Sequence, residues 1–241
     1  MSKKVIIFIV EGDSDETLLI DRMKKLYGGY EVRFESQHGD IFFDIKRTKN
    51  IKNVIGNTVK SIIQKRKFKE KDILAVIHLM DTDGCLIPDE YVRINVSQAV
   101  LTFYTSECIN VIDERQRGNI ISRNNERSIN VKTMNCVDSI VSGKFKYQLY
   151  YFSRNLEHVI FNEPNPDGEG KVEDVEMFLA TLEGHIDEYL DQYLNVLRST
   201  EYETRYRESW VIISEGTQSL NRSTNVPLMF DYIRNAVQST K

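Results

Sequence analysis

The sequence predicts an α/β fold: a mostly parallel sheet flanked by helices, with a polar insertion and a helical carboxyl-terminal extension. Three observations predict it. Two continuous apolar runs rich in β-branched residues, Val5–Val10 and 73–79, read as strands buried on both faces. Stretches of helical period alternate with them, as in a core built from strand–helix–strand units. Beyond residue 162, the longest apolar stripe repeats every three or four residues.

Along the chain, Val5–Val10 opens the core and stops at Glu11-Gly12-Asp13-Ser14-Asp15-Glu16. Leu18, Leu19, Met23 and Leu26 then recur at helical spacing up to Gly28-Gly29. A second strand is predicted over 30–35 and a second helix over 53–67. The run 73–79 leads into Met80-Asp81-Thr82-Asp83-Gly84. Residues 105–145 are polar, hold no sustained period and read as a mobile insertion. Residues 146–152 alternate into an aromatic-rich strand, and Ser153-Arg154-Asn155-Leu156-Glu157 starts a helix. Two prolines and two glycines between 162 and 170 mark a linker. Val175, Phe178, Leu182, Ile186, Leu190, Tyr193 and Leu197 predict one long amphipathic helix. Trp210, within Trp-Val-Ile-Ile, reads as part of a last strand or a buried turn. A final helix opens at Pro227, with Thr224 or Asn225 as its cap. The predicted organisation is a core over 1–162, with 105–145 inserted in it, and an extension over 163–241.

The 241 residues are 41% hydrophobic and 28% charged, which excludes collagen-like, disulfide-scaffold and wholly disordered classes. Cys85, Cys108 and Cys136 are widely spaced and suggest neither a disulfide framework nor a zinc cage. The first apolar run is shorter than a signal-peptide core, and no window approaches a membrane span. The expected location is the cytoplasm, with no membrane partner.

A formal net charge of -4 hides segregation. Between 46 and 71 the bases Lys46, Arg47, Lys49, Lys52, Lys60, Lys65, Arg66, Lys67, Lys69 and Lys71 face only Glu70. Such a run is either a solvated helix face or a footprint for a phosphate backbone. Between 163 and 191 acids dominate, with Lys171 the sole Lys or Arg.

Ligands of open α/β sheets sit beyond the carboxyl ends of the strands. Two strands deliver acids there: Glu11 from the first, Asp81 and Asp83 from the third. Residues two apart in extended chain point to one side, so Asp81 and Asp83 can serve one site. Clustered carboxylates raise one another's pKa unless a cation neutralises them. An oxygen-only set suits Mg²⁺ or Mn²⁺, and the chemistry favoured is phosphoryl transfer. A plainer reading stands beside this one. Asp13 and Glu16 match a capping box, and Asp-Thr-Asp-Gly is good turn chemistry. An acid directly ending six apolar residues has no such excuse.

Strand-Glu-Gly-x-x-Asp-helix followed by strand-Asp-x-Asp resembles the Toprim domain of topoisomerases, primases and OLD-type nucleases. The later Ser153…Glu157 element is similar to that of OLD-like and RloB-like members. The resemblance implies a divalent-metal site with Glu11 as general acid/base or ligand and Asp81 and Asp83 as ligands. It further implies that Asp15 and Glu157 hold a second ion. It implies a stand-alone nuclease of bacterial phage defence, acting on nucleic acid, often beside a separate ATPase, since no phosphate-binding G-x-x-x-x-G-K-[ST] loop is present. Lys46, Arg47, Lys49, Lys65, Arg66, Lys67 and Arg154 are the expected contacts to nucleic acid.

Two rivals remain. His78-Leu-Met-Asp81-Thr-Asp83 also resembles the opening motif of haloacid-dehalogenase-like Mg-dependent phosphatases, in which Asp81 is a nucleophile and Asp83 a general acid. The other is a non-catalytic subunit that binds nucleic acid or a partner protein. His38, His78, His158 and His185 are scattered, and His78 reads as a core side chain.

Overall fold

Six residues without a polar side chain, Val5–Val10 (β1), are all buried, as expected of a strand covered on both faces. The computed structural model describes residues 4–27, 31–36, 41–44, 49–166, 170–196, 199 and 201–238, the side chains of 31–36 excepted. Helix Asp13–Leu26 (α1) follows β1 and leads to Glu31–Ser36 (β2). Helix Ile51–Arg66 (α2), capped by the Asn50 side chain on Asn53 N–H, leads to Ile73–Asp81 (β3).

Three short strands come next, Val92–Ile94 (β4), Thr102–Tyr104 (β5) and Ile109–Val111 (β6). Helix Glu114–Met134 (α3), strand Ser139–Ile140 (β7), strand Phe145–Phe152 (β8) and helix Leu156–Phe161 (α4) complete the core. The remaining helices are Lys171–Thr181 (α5), Ile186–Asp191 (α6), Tyr202–Ile213 (α7) and Val226–Gln238 (α8).

The main sheet runs β2-β1-β3-β8-β7 and the small one β4-β6-β5. β1 is parallel to β2 and β3, and β3 to β8, whereas β7 turns back antiparallel on β8. The small sheet pairs β4 parallel and β5 antiparallel to β6. Both sheets are therefore mixed. One connected layer holds α1, α5, α6 and α8, while α2 packs with α3. The chain visits β2 before returning past β1 to β3, and this reversal explains why consecutive crossovers lie on opposite faces.

Four expectations need correction. Residues 105–145 are not an irregular insertion: they hold β6, β7 and α3, a helix of 21 residues. Its buried stripe is Ile120, Asn124, Arg127, Val131 and Met134. Two of those five are polar or charged, which hid a regular helical period. The long helix over 175–197 is two helices, broken where Gly184 takes φ +95°. Trp210 lies in a helix, with Tyr206, Trp210 and Ile213 on its buried face. The helices after 162 are not an appendage either, because Val175, Leu190, Trp210 and Phe230 share one apolar cluster with the main sheet.

Among the described residues, no helix is long and apolar enough to cross a membrane.

The Asp83-Gly84 turn after β3 depends on glycine. Both residues have positive φ, 46° and 66°, and short polar Asp tolerates that region better than most side chains. A methyl group on Gly84 would lie 2.8 Å from Leu220 Cδ2 and 3.1 Å from Ile109 Cδ1. Gly84→Ala is expected to cost about 1–3 kcal/mol through overpacking, on top of the backbone strain. A denaturant midpoint equal to the wild type's would refute that.

Candidate active site

Three neighbouring parallel strands bring their carboxyl ends to one edge. Ile9 of β1 pairs with His78 of β3, and Asp81 of β3 with Phe152 of β8. Glu11 follows β1, Asp81 ends β3 with Asp83 two residues on, and Arg154 and Glu157 follow β8. The sequence distance of seventy residues between Glu11 and Asp81 is closed by strand pairing alone.

Five carboxylates meet at this edge. Burial, with Asp15, Glu11, Asp83 and Glu157 adding to it in that order, pushes Asp81 well above the usual carboxylate range. Its Oδ1 is buried without a hydrogen-bond partner. Asp15 is raised to about 7, chiefly by burial and further by Glu157, although the Gly12 N–H and Lys171 oppose the shift. Helix capping at α1 falls to Asp15, whose Oδ2 accepts from Gly12 N–H at 3.1 Å. Asp13 and Glu16 are not the pair that caps the helix. One carboxylate thus serves both the helix start and the acid cluster.

Cations enter from two elements outside the sequence motifs. Arg127 of α3, 1% exposed, lies 2.9 Å from Asp83 Oδ2 and 3.5 Å from Glu11 Oε1. It also donates to the Asp81 carbonyl. Asp83 is about a third exposed, so water screens part of its ion pair. Arg123 donates to the Asp83 carbonyl and Asn124 to that of Gly84, so α3 grips the whole turn. On the other flank, Lys171 Nζ at the start of α5 is 3.2 Å from buried Glu157. Arg127 and Lys171 were missed because one lies in a stretch without visible period and the other follows a linker.

Arg154 is held in place from below. Its N–H donates to Thr82 Oγ1 at 2.7 Å, and its carbonyl accepts from Asp83 N–H. The guanidinium sits 4.2 Å from the centre of the Tyr104 ring. The residue is 3% exposed, and its Nε and Nη1 have no hydrogen-bond partner. Burial lowers its pKa to about 10, so it stays charged at neutral pH. Two unsatisfied donors on a buried cation are expensive. Such donors suit an anionic partner such as a phosphate.

The other expected contacts to nucleic acid do not share one place. Lys65, Arg66 and Lys67 are exposed at the carboxyl end of α2, next to the start of β3 and so at the sheet edge opposite Asp81. Lys49 is exposed just before the amino end of α2. Lys46 and Arg47 lie outside the described residues, as does His38. His78 is fully buried, stacks on Phe42 and shares a hydrogen bond with Tyr147, as a core residue does.

The acids offer the oxygen donors that Mg²⁺ or Mn²⁺ takes, and the orphaned Asp81 Oδ1 is the observation that fits such an ion. Among the described residues, however, no three His, Cys, Asp or Glu side chains close into a cage. Arg127 joins Glu11 to Asp83 instead. A cavity of about 460 Å³ beside Phe161 and Phe178 and one of about 580 Å³ beside Cys136 and Tyr206 include none of the five acids. Compared with protein-family models, curated proteins and solved structures, the chain matches none.

Proposed function

We propose that the protein is a divalent-metal-dependent nuclease that hydrolyses phosphodiester bonds in the manner of Toprim nucleases. One observation carries the reading: Glu11, Asp15, Asp83 and Glu157, drawn with Asp81 from three chain segments, gather round Asp81 at the carboxyl edge of the sheet and all push its pKa up. Carboxylates that crowd a desolvated neighbour cost stability unless a cation or a function repays them.

Glu11, Asp81 and Asp83 would hold one ion, and Asp15 with Glu157 a second. Bound there, Mg²⁺ or Mn²⁺ supplies a Lewis acid for the phosphate and for the attacking water. The chain's own groups do the rest. Arg154 supplies positive charge for a substrate phosphate, with Tyr104 fixing the guanidinium plane. Glu11, at the tip of β1, is placed to accept the proton of the attacking water. Arg127 tethers the Asp81–Gly84 turn to α3 and neutralises part of the cluster while no ion is bound.

Placement favours this over the phosphatase reading, which leaves Glu11 and Glu157 idle. The role in phage defence and a separate ATPase partner rest on the sequence resemblance alone. Incubation with DNA and RNA oligonucleotides in Mg²⁺ or Mn²⁺ should yield cleavage that EDTA stops. Phosphate release from small monoesters without any strand cleavage would overturn the proposal.

A further inference from the structure

The two charge runs of the sequence fold into two helix faces of opposite sign. Helix α2 buries Ile51, Ile55, Val59, Ile62 and Ile63. Lys52, Lys60 and Lys65 stand exposed on its other side, with Lys67 and Lys69 exposed just past its end. None of these lysines has an ion-pair partner among the described residues. The one acid of the run, Glu70, is held by Lys144 at 2.9 Å.

Helix α5 is the counterpart. It buries Val175 and exposes Glu173, Asp174 and Glu176, with Glu183 exposed just after it. These acids have no ion-pair partner among the described residues either. The one base of the run, Lys171, is occupied by Glu157. In each run the charge of minority sign is thus already paired, and the face keeps a single sign.

The two faces cannot neutralise each other within one molecule. α2 packs with α3 and α5 with α1, and the crossovers that hold α1 and α2 lie on opposite sides of the sheet. Between molecules they can meet. Met177, 69% exposed, stands among the acids, and aliphatic lysine stems can cover it while their ammonium groups reach the carboxylates beside it.

We propose that the basic face of α2 in one molecule docks on the acidic face of α5 in a second copy of this chain, so that the protein associates head to tail. Charge complementarity selects that occupant. Nucleic acid would suit α2 alone and leave the acidic face unanswered, whereas a second copy answers both. The contact joins two different patches, so it extends past a dimer into a ring or an open chain. α5 has 11 residues and spans about 16 Å, which puts the contact in the small, weak and salt-labile class.

The measurement is sedimentation velocity of the full chain, freed of nucleic acid and kept in EDTA so that no metal site bears on the result. Two ionic strengths are compared, about 0.01 M and about 1 M, where charges are felt over about 30 Å and about 3 Å. Wild type should form a concentration-dependent series of oligomers at the lower and sediment as a monomer at the higher. Lys60→Glu with Lys65→Glu places acids on both faces, and Glu173→Lys with Glu176→Lys places bases on both. Each pair of substitutions should weaken self-association about tenfold or more. An equal mixture of the two variants should associate again, because α2 of the second and α5 of the first are both unaltered.

All four substituted residues are exposed, so both variants should keep the wild-type melting temperature. A wild type that stays monomeric at the lower ionic strength would overturn the proposal. So would oligomers that neither pair of substitutions weakens, or a mixture in which the variants ignore each other. Association that vanishes once nucleic acid is removed would assign α2 to that ligand and overturn it as well.

Discussion

Asp81→Asn is expected to abolish cleavage and, in EDTA near pH 8, to raise the melting temperature. The folded state disfavours an ionised Asp81, because the side chain is buried and faces Asp15, Glu11, Asp83 and Glu157. Asn removes the charge, keeps the shape and adds a donor among acceptors. For a chain of this size each kcal/mol is worth about 2–4 °C.

The dependence on pH has a defined sign. A carboxyl raised by folding adds stability below its unfolded pKa and loses it as pH rises through the folded one. For Asp15 the window runs from 3.8 to about 7, a contribution on the order of 4 kcal/mol lost across it. Metal-free wild type should therefore melt lower as pH climbs through that window, and Asp15→Asn or Asp81→Asn should flatten the decline. A saturating divalent ion prefers the ionised acids and should offset the decline in wild type alone. Full nuclease activity in folded Asp81→Asn would remove the proposed role of this residue.

The second large effect is expected at Arg127. Arg127→Met strips the cation from Glu11 and Asp83 while keeping most of the apolar stem. Removing one partner of a buried ion pair costs about 3–5 kcal/mol, with the exposed side of Asp83 drawing the value toward the lower end. In EDTA the variant should melt about 6–20 °C below wild type. Mg²⁺ or Mn²⁺ should then restore more stability in the variant than in wild type, because an ion no longer competes with a guanidinium for the same carboxylates. Calorimetry with and without the ion reads both numbers. A variant as stable as wild type, or one that metal does not rescue, would contradict the neutralising role given to Arg127.

The parts of the molecule legible in the sequence are those where one physical rule acts locally. Val5–Val10 and the strand ending at Asp81 could be read because burial on both faces demands unbroken apolar runs. Glu11, Asp81 and Asp83 could be placed at one edge because neighbouring parallel strands share their carboxyl ends. What escaped was set by tertiary context. The stripe of α3 contains Asn124 and Arg127, whose polarity looks like solvent exposure until the acids they meet are known. Trp210-Val-Ile-Ile has strand propensity, yet packing of Tyr206, Trp210 and Ile213 imposes a helix. Gly184 was the one visible sign that the 175–197 stripe breaks. The basic run between 46 and 71 is visible in the sequence, but only topology shows that α2 carries Lys65, Arg66 and Lys67 away from the acids.

The most direct test of the account is anomalous diffraction from crystals soaked in Mn²⁺. The expected result is an ion bonded to Asp81 and at least one of Glu11 and Asp83, with the Arg127 guanidinium drawn back from both. Saturating Mn²⁺ that leaves no peak near any of the five carboxylates, with Arg127 still joining Glu11 to Asp83, would contradict it.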